Sequence, residues 1–500
     1  MNVNNRGAGF TISTADLDSV AAHARHAPDR IAVVECESGF EVSYRLLHEM
    51  VEAAALWIEG ELQPGDRLAW LARNNVEMLV AHLACSRSGR IFVPLNWRLS
   101  APELTAIIAD CEPALLITSE EFAATAQSAA ETAAVDCRIE AGLGRRDGDG
   151  GARLLDPEQP CVLIYTSGTT GRPKGVIHTE RTIHYSSMNI VLGADRGPES
   201  RALCDAPLFH VIGLLIICRA SLLGGGTILM SAGFDPAKSL ARLQEATHYC
   251  GVPQMLDQLR QRPEFAEFDG SRLVSISVGG APSTTELISA WRERGLPVLI
   301  GFGMSEIGAL MQMPPAAPEW QRLYPMSCGP KPFFGSLRIC DDAGNEVPVG
   351  TAGEIWVNGP TVTPGYWRRP EETRELFRDG WMRTGDIGSV NADGFHFILD
   401  RKKDMFISGG ENVYPAEIES VIAGIAGVRE VAVVGVPDAR WGEVACAFVN
   451  GDVEAEAVVS VCAHALAKYK VPTHVVLNSE IPRNGSGKPL KQLLRARFLE

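Results

Sequence analysis

The chain has 500 residues, 46% of them hydrophobic, a length that suggests about three domains and a composition ample for large buried cores. Its formal charge of -15 argues against a nucleic-acid backbone or an anionic membrane surface as partner, so any nucleotide site has to be locally basic. Twelve cysteines scattered singly, with no C-x-x-C pair, read as reduced thiols of a cytoplasmic protein rather than as zinc ligands or a disulfide framework.

The opening "MNVNNRGAGF" has no apolar core, which argues against a secretory signal. From there helical and strand patterns alternate. "DLDSVAAHARHA", "SYRLLHEMVEAAALWIEG" and "VEMLVAHLACSRSG" read as helices, and "RIAVV", "DRLAWLA" and "RIFVPLN" as strands, an alternation that predicts a layered α/β fold. Ser100 and Glu103 are spaced as a capping box for one more helix. The glycine-rich, polar stretch 141–152 reads as the connection to a second subdomain. A second alternating series runs from Cys161 through "GGTILM", "HYCGVP", "LVSISVGGAP" and "PVLIGFGMSE". Each short apolar strand there ends in glycine or proline, where ligands of open parallel sheets bind. Within this series the most apolar run, "VIGLLIIC" from Val211, meets Arg219 too soon to span a bilayer and reads as core or pocket wall. Beyond Gly329 turn-rich strands predict a β-rich subdomain, and near Asp400 the composition changes sharply. The expected division is therefore a large domain over 1–399 and a small α+β domain over 400–500.

Directly behind the apolar "CVLI", residues 165–176 read "YTSGTTGRPKGV". Glycines let a backbone approach an anion closely, while hydroxyls, N–H groups and a lysine supply donors, so the loop suits phosphate. It is not a Walker loop: Gly168 and Gly171 are too close, and Gly175 follows Lys174.

Further motifs follow in order: "PLFH" (207–210), "GGAP" (279–282), "GFGMSE" (301–306), "RTGD" (383–386), "DRKKDMFISGGENVYP" (400–415), "RWGE" (440–443) and "PRNGSGKPLK" (482–491). With the glycine-rich loop, this series resembles the AMP-forming acyl-CoA synthetases of the adenylate-forming superfamily, and within them bacterial aryl-CoA, feruloyl-CoA and fatty acyl-CoA ligases. Any one motif read alone is compatible with an ordinary turn or a solvated surface residue; their order carries the resemblance.

The resemblance implies ATP, Mg²⁺ and CoA as reactants, a small-molecule carboxylic acid as substrate, no nucleic acid and no transmembrane segment, and it allows a homodimer. It implies that Thr166, Ser167, Gly168, Thr169, Thr170 and Lys174 hold the ATP phosphates. Gly280, Ala281, Pro282, Phe302, Gly303, Met304 and Ser305 would surround AMP, with Phe302 where the family usually has tyrosine and Ser305 where it has threonine. Glu306 would hold Mg²⁺, Asp386 the ribose, and Arg401 the ribose or phosphate. Lys488 would be the catalytic lysine, bridging carboxylate and phosphate oxygens as they approach, a task that needs a closed, desolvated site. Lys403 would be the hinge about which the small domain turns to present another face. That face would bring Ser408, Gly409, Gly410, Trp441, Tyr469 and Lys470 to CoA. His210, Val211, Ile212, Gly213, Leu214, Gly279 and Gly303 would line the acid pocket. Relatives that activate amino acids carry an Asp near His210; here an ammonium group would face apolar side chains without a partner. An aromatic acid of the benzoate or cinnamate type is the expected substrate, a medium- or long-chain fatty acid the alternative, and a non-catalytic acyl-adenylate sensor the alternative of another class.

Overall fold

The computed structural model describes residues 17–139, 156–166, 173–281, 283–409, 411–483 and 489–499. Two mainly parallel sheets form the larger part. The first has eight strands in the spatial order Gly308–Gln312, Val298–Met304, Ser275–Val278, His248–Gly251, Arg201–Cys204, Thr227–Met230, Ile31–Glu35 and Glu41–Ser43. The second has six, in the order Cys137–Ile139, Leu115–Thr118, Arg67–Leu71, Ile91–Pro94, Pro160–Thr166 and Lys174–Thr179. Antiparallel strands stand only at edges: both edges of the first sheet and the Lys174–Thr179 edge of the second.

The layered α/β reading holds, but the chain divides differently from the expected sequence of subdomains. Strands Ile31–Glu35 and Glu41–Ser43 belong to the sheet completed some two hundred residues later, and the two strands that follow stretch 141–152 complete the earlier sheet. Apolar periodicity tells a strand from a helix; it carries no information about which distant strand becomes the neighbour. Stretch 141–152 itself lies outside the described residues.

One apolar cluster joins both sheets. It contains Val33 and Ile228 of the larger, Phe92 and Val162 of the smaller, and most of helix Val76–Ser88. That helix is buried around nearly its whole circumference, every residue but Glu77 and Arg87 being buried. Its sequence also sets its ends: the Asn75 side chain accepts from Met78 N–H at 2.8 Å, and Gly89 closes it in the left-handed region at φ 72°. Its polar members are paired internally: His82 meets Arg219 at 3.2 Å, Ser86 donates to Glu180, and Glu180 and Arg219 form a buried ion pair at 2.6 Å. Helix Ala101–Cys111 carries the expected capping box, with the Ser100 N–H donating to Glu103 Oε2 at 2.8 Å.

The β-rich part is an antiparallel sheet of Ser336–Cys340, Gly353–Asn358, Trp381–Val390, Phe377–Arg378 and His396–Arg401. Asp400 falls one residue before its last strand ends. After the turn 402–405 a second small sheet begins at Phe406, and helices cover both of its faces. Asp400 spans this junction, one carboxylate oxygen accepting from Arg401 N–H at 2.7 Å and the other from Ala416 N–H at 2.8 Å, at the start of helix Pro415–Ala423. All twelve cysteines are free thiols, and no described helix is long and apolar enough to cross a membrane.

Candidate active site

The two sheets present their motifs by the same device. In the smaller, strand Pro160–Thr166 reverses into antiparallel Lys174–Thr179, so that Thr166 pairs with Lys174 across the base of the glycine-rich loop. In the larger, strand Val298–Met304 reverses into Gly308–Gln312, and Ser305, Glu306 and Ile307 form the tip. Gly303 fits because any Cβ there would lie 2.3 Å from the Gly308 carbonyl oxygen.

A third segment ties the two tips together. Residues 365–367 run beside the outer edge of Lys174–Thr179: Ile177 N–H donates to Gly365 O at 3.1 Å, and Trp367 N–H to Gly175 O at 2.8 Å. Tyr366 thereby points its phenol at the other tip, where it donates to Glu306 Oε1 at 2.8 Å. Its ring lies under Lys174, with Nζ 5.2 Å from the centroid. The backbone of Glu306 is held as well, since its carbonyl accepts from Thr363 N–H at 2.8 Å. Burial, reinforced by the Glu306 carboxylate, pushes the Tyr366 phenol up and keeps it a donor. Behind the glycine-rich loop, Tyr165 donates to Asp110 at 2.6 Å, and Asp110 is also paired with Arg369. His178, fully buried in the same edge strand, is pushed down to about 4 by desolvation, which outweighs the opposing effect of a hydrogen bond to the Ser305 backbone.

The apolar wall takes an uncommon form. Ile212–Arg219 is a π-helix, a widened turn that sequence periodicity does not signal and that occurs often at functional sites. Gly213 lets it approach the Ala206 and Pro207 carbonyls, where a Cβ would lie 2.3 Å from the latter. Gly280, with φ 78°, faces Ile212: a Cβ there would be 3.6 Å from Ile212 Cδ1. Val211 and Leu214 are buried, whereas His210 and Ile212 keep some exposure, as do Gly279, Ala281 and Gly303 at the strand ends. Phe302 packs into the apolar cluster of Ile307, Leu310 and Met311, with 7% of its surface open. Met304 and Ser305 are half-buried.

Asp386 and Arg401 face each other across adjacent strands in a 2.8 Å ion pair. Lys403 is exposed in the turn between the two small sheets. Trp441 is exposed rather than part of a core, and it lies against Gly409, where a Cβ would be 2.7 Å from its ring. Ser408 is buried in its strand, and Lys470 is ion-paired with Glu417 at 2.7 Å beside Tyr469. Ser167, Gly168, Thr169, Thr170, Pro282, Gly410 and Lys488 lie outside the described residues.

Comparison with known proteins places this arrangement. Residues 20–367 match the model of the AMP-binding enzyme family, and residues 417–488 that of the AMP-binding enzyme C-terminal domain. The chain belongs to the AMP-binding enzyme family, among the AMP-forming acyl-CoA synthetases. It is 38% identical to a feruloyl-CoA synthase of Amycolatopsis, over 95% of this chain and 97% of that one. It is 34% identical to a long-chain-fatty-acid–CoA ligase of Mycobacterium tuberculosis, over 93% and 95%. Among solved structures, ATP-bound MatB from Rhodopseudomonas palustris superposes with a TM-score of 0.88 at 31% identity, covering 96% of this chain and 99% of that one.

Within this family frame the metal chemistry can be tested against the residues present. No described group of three His, Cys, Asp or Glu side chains could hold a metal ion. Glu306 offers one oxygen-donor carboxylate, with Oε1 already accepting from Tyr366. A lone carboxylate fits a hard cation such as Mg²⁺ that takes its other oxygens from nucleotide phosphates and water. Tyr366 is the residue that motif reading missed. Nothing in "TPGYWRRP" signals a partner sixty positions away.

Proposed function

We propose that this synthetase activates an aromatic carboxylic acid in two steps. A carboxylate oxygen first attacks the α-phosphorus of ATP and pyrophosphate leaves, giving acyl-AMP. The CoA thiolate then attacks the acyl carbonyl and AMP leaves, giving acyl-CoA. The observation that supports the reading is the convergence of both strand-reversal motifs on Tyr366, whose ring lies against Lys174 and whose phenol donates to Glu306; in this reading the triphosphate lies between the two.

In this reading Thr166, Lys174 and the hydroxyls of 167–170 hold the β- and γ-phosphates, and Ser305 donates to the α-phosphate. Glu306 would hold the Mg²⁺ that accompanies ATP, and the cation would offset phosphate charge. Asp386 accepts from the ribose hydroxyls once Arg401 yields its place, and adenine lies between the open edge of Phe302 and the 279–281 turn. Lys488 bridges the incoming carboxylate and the phosphate. Rotation about Lys403 then removes Lys488 and brings Gly409 and Trp441 to the pantetheine arm, with Tyr469 and Lys470 nearby.

In this reading Ile212 and the side-chain-free Gly280 that faces it form one wall of the acid pocket, an apolar surface that favours a planar ring. A fatty acid is the second reading, supported by the apolar π-helical wall and the long-chain relative. The test is pyrophosphate release with ATP and Mg²⁺ against benzoates, cinnamates, graded fatty acids and amino acids, with and without CoA. Turnover with cinnamates or benzoates above all fatty acids is expected, and a maximum at a long aliphatic chain would replace the aromatic reading. Lys488→Ala should impair acyl-AMP formation far more than CoA attack on supplied acyl-AMP; equal losses would remove its assigned role.

A further inference from the structure

Tyr366 touches both groups that the proposed ATP site depends on, and it comes from neither motif. Its backbone is fixed by contacts other than these two side chains: its N–H donates to Thr373 Oγ1 at 3.0 Å, and its neighbours on both sides hydrogen-bond to the backbone of the edge strand Lys174–Thr179. The side chain therefore has little freedom. Its phenol reaches Glu306 Oε1, and its ring supports the Lys174 ammonium.

Resting on the reading of Glu306 as the cation-holding carboxylate and Lys174 as a phosphate donor, we infer that Tyr366 is a positioning residue for the metal–nucleotide complex. By occupying Oε1 it leaves Oε2 as the oxygen presented to the cation and fixes the plane of the carboxylate, as partners behind metal ligands do elsewhere. By carrying Lys174 on its ring face it holds a flexible side chain toward the phosphates. The hydroxyl and the ring thus serve different ligands, and substitution can separate them.

Tyr366→Phe removes only the hydroxyl and keeps the packing. It should weaken Mn²⁺ binding to the enzyme with a non-hydrolysable ATP analogue, read by electron paramagnetic resonance, by about tenfold. It should also raise the Mg²⁺ needed for half-maximal acid-dependent pyrophosphate exchange, while CoA attack on supplied acyl-AMP stays unchanged. Tyr366→Leu should in addition weaken binding of the analogue measured in EDTA, which Tyr366→Phe should leave alone. Glu306→Gln is the control. If it shifts the metal response and Tyr366→Phe does not, the positioning role is overturned while the reading of Glu306 stands. If Glu306→Gln leaves the metal response unmoved, both fall. Equal losses in both half-reactions for Tyr366→Phe, with Mn²⁺ affinity intact, would also overturn the inference, because they indicate a merely structural side chain.

Discussion

Two strand reversals do related work with opposite construction. The Val298–Met304 reversal is short: three residues span it, Gly303 and Gly308 let its strands close, and Ser186 Oγ accepts from Ala309 N–H at 2.8 Å beneath it. The Pro160–Thr166 reversal spends seven residues, four of them glycine or hydroxyl-bearing threonine, between Thr166 and Lys174, and its support comes from outside, through Tyr165, Asp110, Arg369 and segment 365–367. The short tip holds the Glu306 carboxylate on the Tyr366 phenol. The long one carries more hydroxyls in its sequence, and its base is held by the pairing of Thr166 with Lys174. In the proposed site the first would present the Glu306 carboxylate to the cation, and the second would present its hydroxyls and Lys174 to the phosphates.

Substitutions can push this contrast until it breaks. The largest effect should come from Gly303→Val, whose Cβ would meet backbone 2.3 Å away. A loss above about 3 kcal/mol and poor soluble yield are expected, checked by denaturant unfolding. Next is acid stability around His178. Its folded pKa near 4 lies below the unfolded value, so the unfolded chain binds more protons between pH 6.5 and 4. The stabilisation is complete above pH 6.5 and is lost as pH falls through that window, by up to roughly 3 kcal/mol. His178→Leu should flatten this part of the unfolding profile. Smaller still is Gly175→Ala, where the new methyl would lie 3.1 Å from the Tyr165 ring. About 1–2 kcal/mol and a raised KM for ATP with kcat nearly kept are expected, because the loop base shifts while the opposite tip does not. The smallest is Tyr165→Phe, which removes the hydrogen bond to Asp110 but leaves Arg369 beside it: about 1 kcal/mol in thermal unfolding. If Gly175→Ala damaged kcat as much as KM, the two tips would be one mechanical unit and the contrast would fail.

Sequence showed the element types, the capping box and the order of the motifs because these depend on neighbours within a few positions. The family's C-terminal motifs were legible for the same reason. What escaped was long-range: the exchange of strands between the two sheets, the Tyr366–Glu306 hydrogen bond and the Asp386–Arg401 pair. Each depends on side chains brought together by packing rather than by spacing. The π-helix at Ile212–Arg219 escaped for another reason, since its apolar run carries no periodicity that separates it from a buried strand or an ordinary helix.

The strand exchange bears on how the protein is made. Strand Ile31–Glu35 pairs in parallel only with Thr227–Met230, about 190 residues later, so at roughly 5–20 residues per second it waits some tens of seconds on the ribosome for that neighbour. Throughout that interval the buried faces of Val33 and of helix Val76–Ser88 have no complete core to enter. Newly made chains are thus a natural client for chaperones, and yield should respond to translation speed more steeply than the stability of the finished enzyme suggests.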